Sequence, residues 1–356
     1  MQRIGIVGIG NISTIYLDNL TGMFGKQVKL AGVADIAAER AEKAAADYKV
    51  KAYKSVDAMV ASPDIDIVLN ITPPQFHFEI ALAAVKAGKH VYNEKPLCVK
   101  REDAQQLLAL AAEKKLRVGG APDTFLGAGL QTCRKLIDEG WIGKPVAATA
   151  FMMHHGAEHW HPAPEFFYKP GGGPLFDMGP YYLTALVSLL GPVARVSGSV
   201  QTGIPQRLIT SQPLNGTIID VEVPTHISGT LDFSCGVAGT LITSFEVYSH
   251  TLPGIEIYGT EGSLRLPDPN TFGGPVHVRR FRAEQWSEIP LLKDYPENSR
   301  GLGITDMALA IEEDRPHRAS AELTFHVLDI MHGIHDASAS GRYYKPKSKC
   351  KRPAAM

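Results

Sequence analysis

Two stretches of this chain carry side chains able to hold a hydroxyl or move a proton. In GGGPLFDMGPYYLTAL, residues 171–186, three glycines precede Asp177, and Tyr181 follows four positions later. The glycines permit close backbone approach, and Pro180 is tolerated only in a helix's first turn. The sequence therefore predicts a helix from about Asp177 to Leu190, with Asp177 and Tyr181 one turn apart on one face. Tyrosine can donate and accept the same proton, but its ordinary pKa of ~10 calls for a neighbouring cation at neutral pH. The same pattern also suits a carboxylate N-cap followed by a packed aromatic.

The second stretch, HHGAEHWHP at 154–162, sets His154, His155, Glu158, His159 and His161 around Trp160. Imidazoles and a carboxylate can bind zinc. This segment, however, reads as a loop after a strand, lacks the i, i+4 placement of HExxH, and has no evident partner ligands elsewhere. No metal is expected. Sugar recognition fits better: an aromatic face packs on C–H surfaces while His159, His161 and Glu158 bond hydroxyls. Buttressing of a sheet edge is the competing reading.

These groups need a frame, and 356 residues give room for about two domains. Hydrophobic residues at 44% and charged residues at 21% exclude a disordered composition. A net charge of −1 lacks the basic balance of a nucleic-acid binder. The one dense basic run, KPKSKCKRP at 345–353, reads as a solvated tail. Cys98, Cys133, Cys235 and Cys350 are scattered without a CxxC pair, which argues against a disulfide framework or a thiolate zinc site and fits a reducing compartment. MQRIGIVGIG runs straight into a strand without a signal-peptide layout, and no apolar stretch is long enough to span a bilayer. The expectation is a soluble cytoplasmic protein with no membrane partner.

In the first third, RIGIVG, VKLAGVAD, DIVLNIT, HVYNEK and LRVGG alternate with helix-forming stretches such as AAERAEKAAADY and REDAQQLLALAAEKK. Such alternation predicts parallel strands with crossover helices. The turn after the first strand, Gly8-Ile9-Gly10-Asn11-Ile12-Ser13, is close to GxGxxG, with Ser13 in the third glycine's place. Glycines there let the backbone approach a pyrophosphate resting on the helix N-terminus. Asp35 ends the second strand at the distance expected for a ribose-binding carboxylate, which would repel a 2′-phosphate; no arginine follows it at once. NAD is therefore expected in preference to NADP. Asp35 also suits a cap for the next helix. After RVGGAPDTF the texture changes near residue 121. A helical stretch, GLQTCRKLIDEG, gives way to KPVAATAFMMHH, VARVSGSVQT, PTHISGTLDF, GVAGTLITSFEVY and GIEIYGT, the alternation of an antiparallel sheet covered on one face. The last helical pattern, AELTFHVLDIMHGIHDASASG, is expected to pack back onto that sheet.

TPPQFH at 72–77 and NEKPL at 93–97, each just after an apolar strand, join the glycine turn, the GGG stretch and YGTEGSLRL at 258–266 in one order. In this the chain resembles the Gfo/Idh/MocA oxidoreductases over residues 1 to about 340. The resemblance implies an α/β N-terminal Rossmann domain (1–120) with a mostly parallel, doubly wound sheet. It also implies an α+β C-terminal domain (121–345) with a large, open, mainly antiparallel sheet, leaving a basic tail (346–356). It assigns Gly8, Gly10, Asn11, Ile12, Asp35, Thr72, Pro73, His77, Glu94 and Lys95 to the cofactor, with His77 alternatively a helix-packing residue and Glu94 alternatively an orienter of Lys95. Lys95, in the Glu-Lys-Pro turn beside the nicotinamide, is the family's residue for binding substrate and moving its proton. As hydride leaves a carbinol carbon its hydroxyl proton must be lost, so a cation or acid is needed at that oxygen.

The family has a histidine acid/base where this chain has Tyr181, a departure that leaves Tyr181, His159 or His161 to carry the proton. The implied catalytic set is Lys95, Asp177 and Tyr181, with His159, Trp160 and His161 also at the substrate. The implied function is NAD-dependent hydride transfer at a secondary alcohol or ketone of a sugar, polyol or glycoside. Two other readings stand beside it: a redox-neutral glycoside-cleaving enzyme with tightly bound NAD, and a non-catalytic sensor of NAD and sugar. A homodimer or homotetramer assembled through the C-terminal sheet is also implied.

Overall fold

The computed structural model describes residues 1–356. They form two compact units, residues 1–126 with 297–325 and residues 127–296 with 326–356. The contacts thus divide at Leu126 rather than near 121, and the expectation of one continuous second domain misses the return of 297–325 to the first unit. The physical cause is the Leu302–Glu312 helix, whose Leu302, Ile304 and Met307 are buried and which packs on the strand Val118–Gly120. Reading elements in chain order cannot reveal such a return.

In the first unit, β1 (Arg3–Val7), β2 (Lys29–Ala34), β3 (Lys51–Ala52), β4 (Ile67–Asn70), β5 (His90–Asn93) and β6 (Val118–Gly120) make one sheet in the order β3-β2-β1-β4-β5-β6. All its pairings are parallel. Helices α1 (Ser13–Thr21), α2 (Ala38–Tyr48), α3 (Val56–Val60), α4 (His77–Lys86) and α5 (Arg101–Glu113) make the crossovers. A sheet covered on both faces needs strands apolar throughout, and β4 is buried at every position. Strand order reverses between β1 and β4, and in such sheets ligands bind outside the carboxyl ends at that point.

In the second unit, β7 (Pro145–Met153), β8 (Val193–Gln201), β11 (His226–Phe233), β12 (Ala238–Ser244), β13 (Ile255–Gly259), β14 (Gly262–Arg265), β15 (Val276–Arg280) and β16 (Ser287–Ile289) form a sheet ordered β16-β15-β14-β13-β7-β12-β11-β8. It is antiparallel except for the β12–β7 pair. The expected alternation holds: Ile227, Leu231 and Phe233 are buried while Thr230 is exposed. One face packs on the Ala321–Ser340 helix, where a Cβ on Gly198 would lie 2.5 Å from Ile334. A separate hairpin, β9 (Gln206–Leu208) with β10 (Ile218–Asp220), and helices α6 (Ala128–Asp138), α7 (Gly173–Asp177) and α8 (Gly179–Leu190) complete the unit. No helix of the chain is long and apolar enough to cross a membrane.

The tail's lysines are exposed, while its backbone and Arg352 are tied to the second unit. Asp329 accepts the Lys347 and Ser348 N–H groups at 2.7 and 2.9 Å, and Arg352 bonds Asp138 at 2.7 Å. Of the tail's charges, Arg352 has a partner far back in sequence, which composition alone does not show.

Two histidines make stability fall in acid. Burial pushes His317, which bonds the Val118 carbonyl, and His326, whose Nε2 accepts the Val193 N–H at 3.0 Å, down to about 4. In the unfolded chain both take protons at about 6.5, so there the unfolded state binds more protons. Their stabilisation is complete above about pH 6.5 and is lost as the pH falls through about 4, on the order of 2–3 kcal/mol each. Urea midpoints should drop between pH 7.5 and 4.5; unchanged midpoints would contradict this.

Candidate active site

The first unit gathers its chemistry at the carboxyl ends of β1, β2, β4 and β5. Gly8 leaves β1 at φ +98°, and a Cβ there would stand 2.9 Å from the Thr72 nitrogen just beyond β4. Only glycine fits this left-handed turn, pressed against the neighbouring strand's exit. A Cβ on Gly10 would meet nothing within 4 Å, Asn11 is exposed and Ile12 half-buried. No side chain caps the N-terminus of α1, so its N–H groups suit an anion. Ser13 is buried and donates from its hydroxyl to the Gly10 carbonyl at 2.7 Å, tightening the turn a third glycine usually makes. Asp35 accepts the Ile9 N–H at 2.6 Å and the Ala37 N–H at 2.8 Å. It both ties the glycine turn and leads into α2, while its carboxylate remains partly exposed. Thr72 and Pro73 follow β4, with the Thr72 hydroxyl on Asn70 Oδ1 at 2.7 Å. These residues suit a dinucleotide: a Cβ-free turn, an uncapped helix start and a carboxylate at the second strand's end.

Two of the residues expected at the cofactor have their polar atoms bonded within the protein. His77 is fully buried, with Nδ1 2.7 Å from the Pro96 carbonyl and Nε2 2.8 Å from the Thr72 carbonyl. Its ring joins two loops and has no face left for a ligand. Burial drives its pKa down, against the pull of both carbonyls. Glu94 is 7% exposed, and its oxygens accept the Tyr16 hydroxyl at 2.6 Å and the Lys95 N–H at 2.9 Å. It holds the lysine's backbone, the other role open to it. Lys95 is half-buried, and the Lys95–Pro96 peptide is cis.

In the second unit, the predicted helix from Asp177 is broken. Asp177 ends α7, Met178 intervenes, and α8 starts at Gly179. Pro180 explains the break: it has no N–H to give the carbonyl one turn back, and its ring would strike that carbonyl. Asp177 and Tyr181 therefore sit on successive helices, and Asp177 does not cap α8, whose N-cap is Met178. Gly172 is needed just before α7, since a Cβ there would stand 2.4 Å from the Phe166 carbonyl. All residues of α8 are buried, and Tyr181 is 5% exposed.

Burial lowers the pKa of His154 and of His161, while the Asp177 charge acts in the opposite direction on both. Asp177 is thus within electrostatic reach of the 154–162 loop. In that loop His159 and Trp160 are exposed, whereas the His161 ring packs against Phe166 and Phe167 and accepts the Ala163 N–H at 3.0 Å. Glu158 is buried, bonded to Arg207 at 2.9 Å and to the Tyr168 hydroxyl. Burial pushes its carboxyl up, but bonds from Tyr168 and Arg207 outweigh this and hold it below the usual range. Glu158 anchors the loop, with its oxygens bonded to Arg207 and Tyr168. No group of three His, Cys, Asp or Glu side chains stands where it could hold a metal ion.

Sequence reasoning missed Asn70, Asn93, Tyr16 and Arg207. A signal existed for the first two: IVLN and HVYN each end an apolar parallel strand on asparagine, and the pair fall opposite one another in register.

Residues 2–120 match the family model described as "Oxidoreductase family, NAD-binding Rossmann fold", and residues 130–265 match "GFO/IDH/MocA C-terminal domain". The chain is 29% identical over 299 residues to 1,5-anhydro-D-fructose reductase of Ensifer adhaerens, covering 82% of this chain and 83% of the relative. It is 27% identical over 265 residues to myo-inositol 2-dehydrogenase of Thermotoga maritima, covering 74% of each. In fold it is similar to an NAD-binding oxidoreductase from Klebsiella pneumoniae, with TM-score 0.82, 24% identity, and 98% and 99% of the two chains covered.

Proposed function

The chain belongs to the Gfo/Idh/MocA oxidoreductase family, with an NAD-binding Rossmann domain, and from that premise we propose that it transfers hydride at a secondary alcohol or ketone of a sugar or polyol. One observation carries this reading: the Gly8 turn, Asp35, Thr72 and Lys95 all lie at the carboxyl edge of a single parallel sheet. That edge brings a pyrophosphate cradle, a ribose carboxylate and a lysine to one side. The names of its relatives, an anhydrofructose reductase and an inositol dehydrogenase, support the substrate class.

NAD, when bound, supplies the hydride acceptor. The glycine turn and the start of α1 hold the pyrophosphate, and Asp35 selects against a 2′-phosphate. Lys95 steadies the negative charge that builds on the substrate oxygen, and Tyr181 is the candidate to carry its proton. Asp177 orients a substrate hydroxyl, and His159 and Trp160 present a polar ring and an aromatic face to the sugar. The chain associates with itself through the open sheet face bearing Thr230 and Thr240. Its four cysteines, all free thiols, fit a reducing cytoplasm.

Purified protein with NAD should form NADH, read at 340 nm, on at least one of a panel of inositols, pentoses, hexoses and anhydro sugars. With that substrate Tyr181→Phe should lower kcat about a hundredfold or more. A panel that gives no NADH sinks net oxidation, and a Tyr181→Phe rate within twofold of wild type removes the tyrosine's role.

A further inference from the structure

We propose that Asn93 is a positioning residue for Lys95, fixing the turn that carries the lysine through a closed set of buried hydrogen bonds. This rests on the reading of Lys95 as the group that acts on the substrate oxygen.

Strand β5 ends at Asn93, so Lys95 lies beyond the sheet ladder. Its backbone is nevertheless held on both sides. The Lys95 N–H donates to Glu94 Oε2 at 2.9 Å, and the other oxygen of Glu94 is fixed by the Tyr16 hydroxyl at 2.6 Å. The carbonyl of Pro96, the next residue, lies 2.7 Å from the His77 ring. The carbonyl after that, Leu97 O, accepts from Asn93 Nδ2 at 2.9 Å. The Asn93 amide thus bridges the turn from its first residue to its last. It also donates to the His77 carbonyl at 3.3 Å and accepts from Asn70 Nδ2 at 3.1 Å, while Asn70 Oδ1 takes the Thr72 hydroxyl.

Asn70, His77 and Asn93 are each 0% exposed. Asparagine is a poor strand former, and a buried amide is costly unless its hydrogen bonds are made. Valine or isoleucine would serve the ladder at Asn93 as well. The amide does what they cannot: it carries the positions of β4, α4 and the TPPQFH loop into the lysine turn. Buried hydrogen-bond networks of this kind rigidify a site, and a displacement of about 1 Å costs roughly a hundredfold in rate.

The test is a double-mutant cycle on kcat, with NAD affinity read separately by fluorescence titration. Asn93→Ala should lower kcat about 10- to 100-fold with NAD affinity within about threefold of wild type. In a Lys95→Ala background the same change should alter kcat less than about twofold, because its effect passes through the lysine. Should Asn93→Ala fail to fold, Asn93→Thr suits a strand, is too short to span to Leu97, and should show the same kcat loss and the same cycle. Equal losses in both backgrounds, or a folded variant with kcat within twofold of wild type, would overturn the proposal. An unchanged kcat in Lys95→Ala alone would instead overturn the reading of the lysine.

Discussion

Lys95→Ala is expected to lower kcat by about a hundred- to ten-thousand-fold while NAD affinity changes only slightly. In the proposed reading the dinucleotide would be held by backbone at Gly8 and Gly10 and by Asp35, none of which the substitution touches. What is lost is the cation at the oxygen where negative charge develops, an interaction stronger in the transition state than in the ground state. The loss should therefore fall on kcat as well as on kcat/KM. Lys95→Arg keeps the charge but replaces a compact ammonium with a wide planar fork, and should recover little. Steady-state kinetics with a fluorescence titration of NADH separate these effects. A variant with weak NADH binding and a normal kcat would assign the lysine to the cofactor.

The second large effect concerns the loop that carries His159 and Trp160. Arg207 is 2% exposed and bonds Glu158 at 2.9 Å, Glu246 at 2.8 Å and the Phe245 carbonyl at 3.0 Å. Arg207→Leu strands two carboxylates in surroundings from which water is largely excluded. Breaking such a buried pair from one side costs about 3–5 kcal/mol. The loop also depends on Glu158 through its backbone, since the Thr210 and Ser211 N–H groups both end on the Glu158 carbonyl. Arg207→Leu should thus lower the melting temperature by several degrees and raise KM for the sugar, with NADH affinity unchanged. Arg207→Lys, which keeps a charge but not the fork, should fall between. Calorimetry that finds Arg207→Leu as stable as wild type would show that the two carboxylates have other compensation.

Much of the first unit was legible because its rules are local. Apolar strands bounded by turns, the glycine pair after the first of them and the carboxylate ending the second each follow from a few neighbouring residues. The second unit's alternating strands were readable for the same reason. What escaped depended on distance in sequence. The Leu302–Glu312 helix returns to the first unit because its apolar face suits β6, and the tail is held by Asp138 and Asp329. The helix expected to join Asp177 and Tyr181 failed on a local rule applied too loosely: Pro180 is tolerated early in a helix because the helix begins there, and that left Asp177 on the preceding one. For His77 and Glu94 the sequence left two duties open, at the cofactor or within the fold. Only the structure shows that their polar atoms already bond Thr72, Pro96, Tyr16 and Lys95.

The most direct test is isotopic. The protein would be incubated with NAD and a panel of sugars and polyols deuterated at their carbinol carbons, and the nicotinamide recovered for mass spectrometry. Oxidation moves the carbinol deuterium to the nicotinamide ring of the NADH that forms, while the hydroxyl proton goes to the protein. The account predicts deuterium on the nicotinamide ring with at least one substrate, and its near absence in Lys95→Ala. NAD bound but unlabelled by every substrate would contradict it.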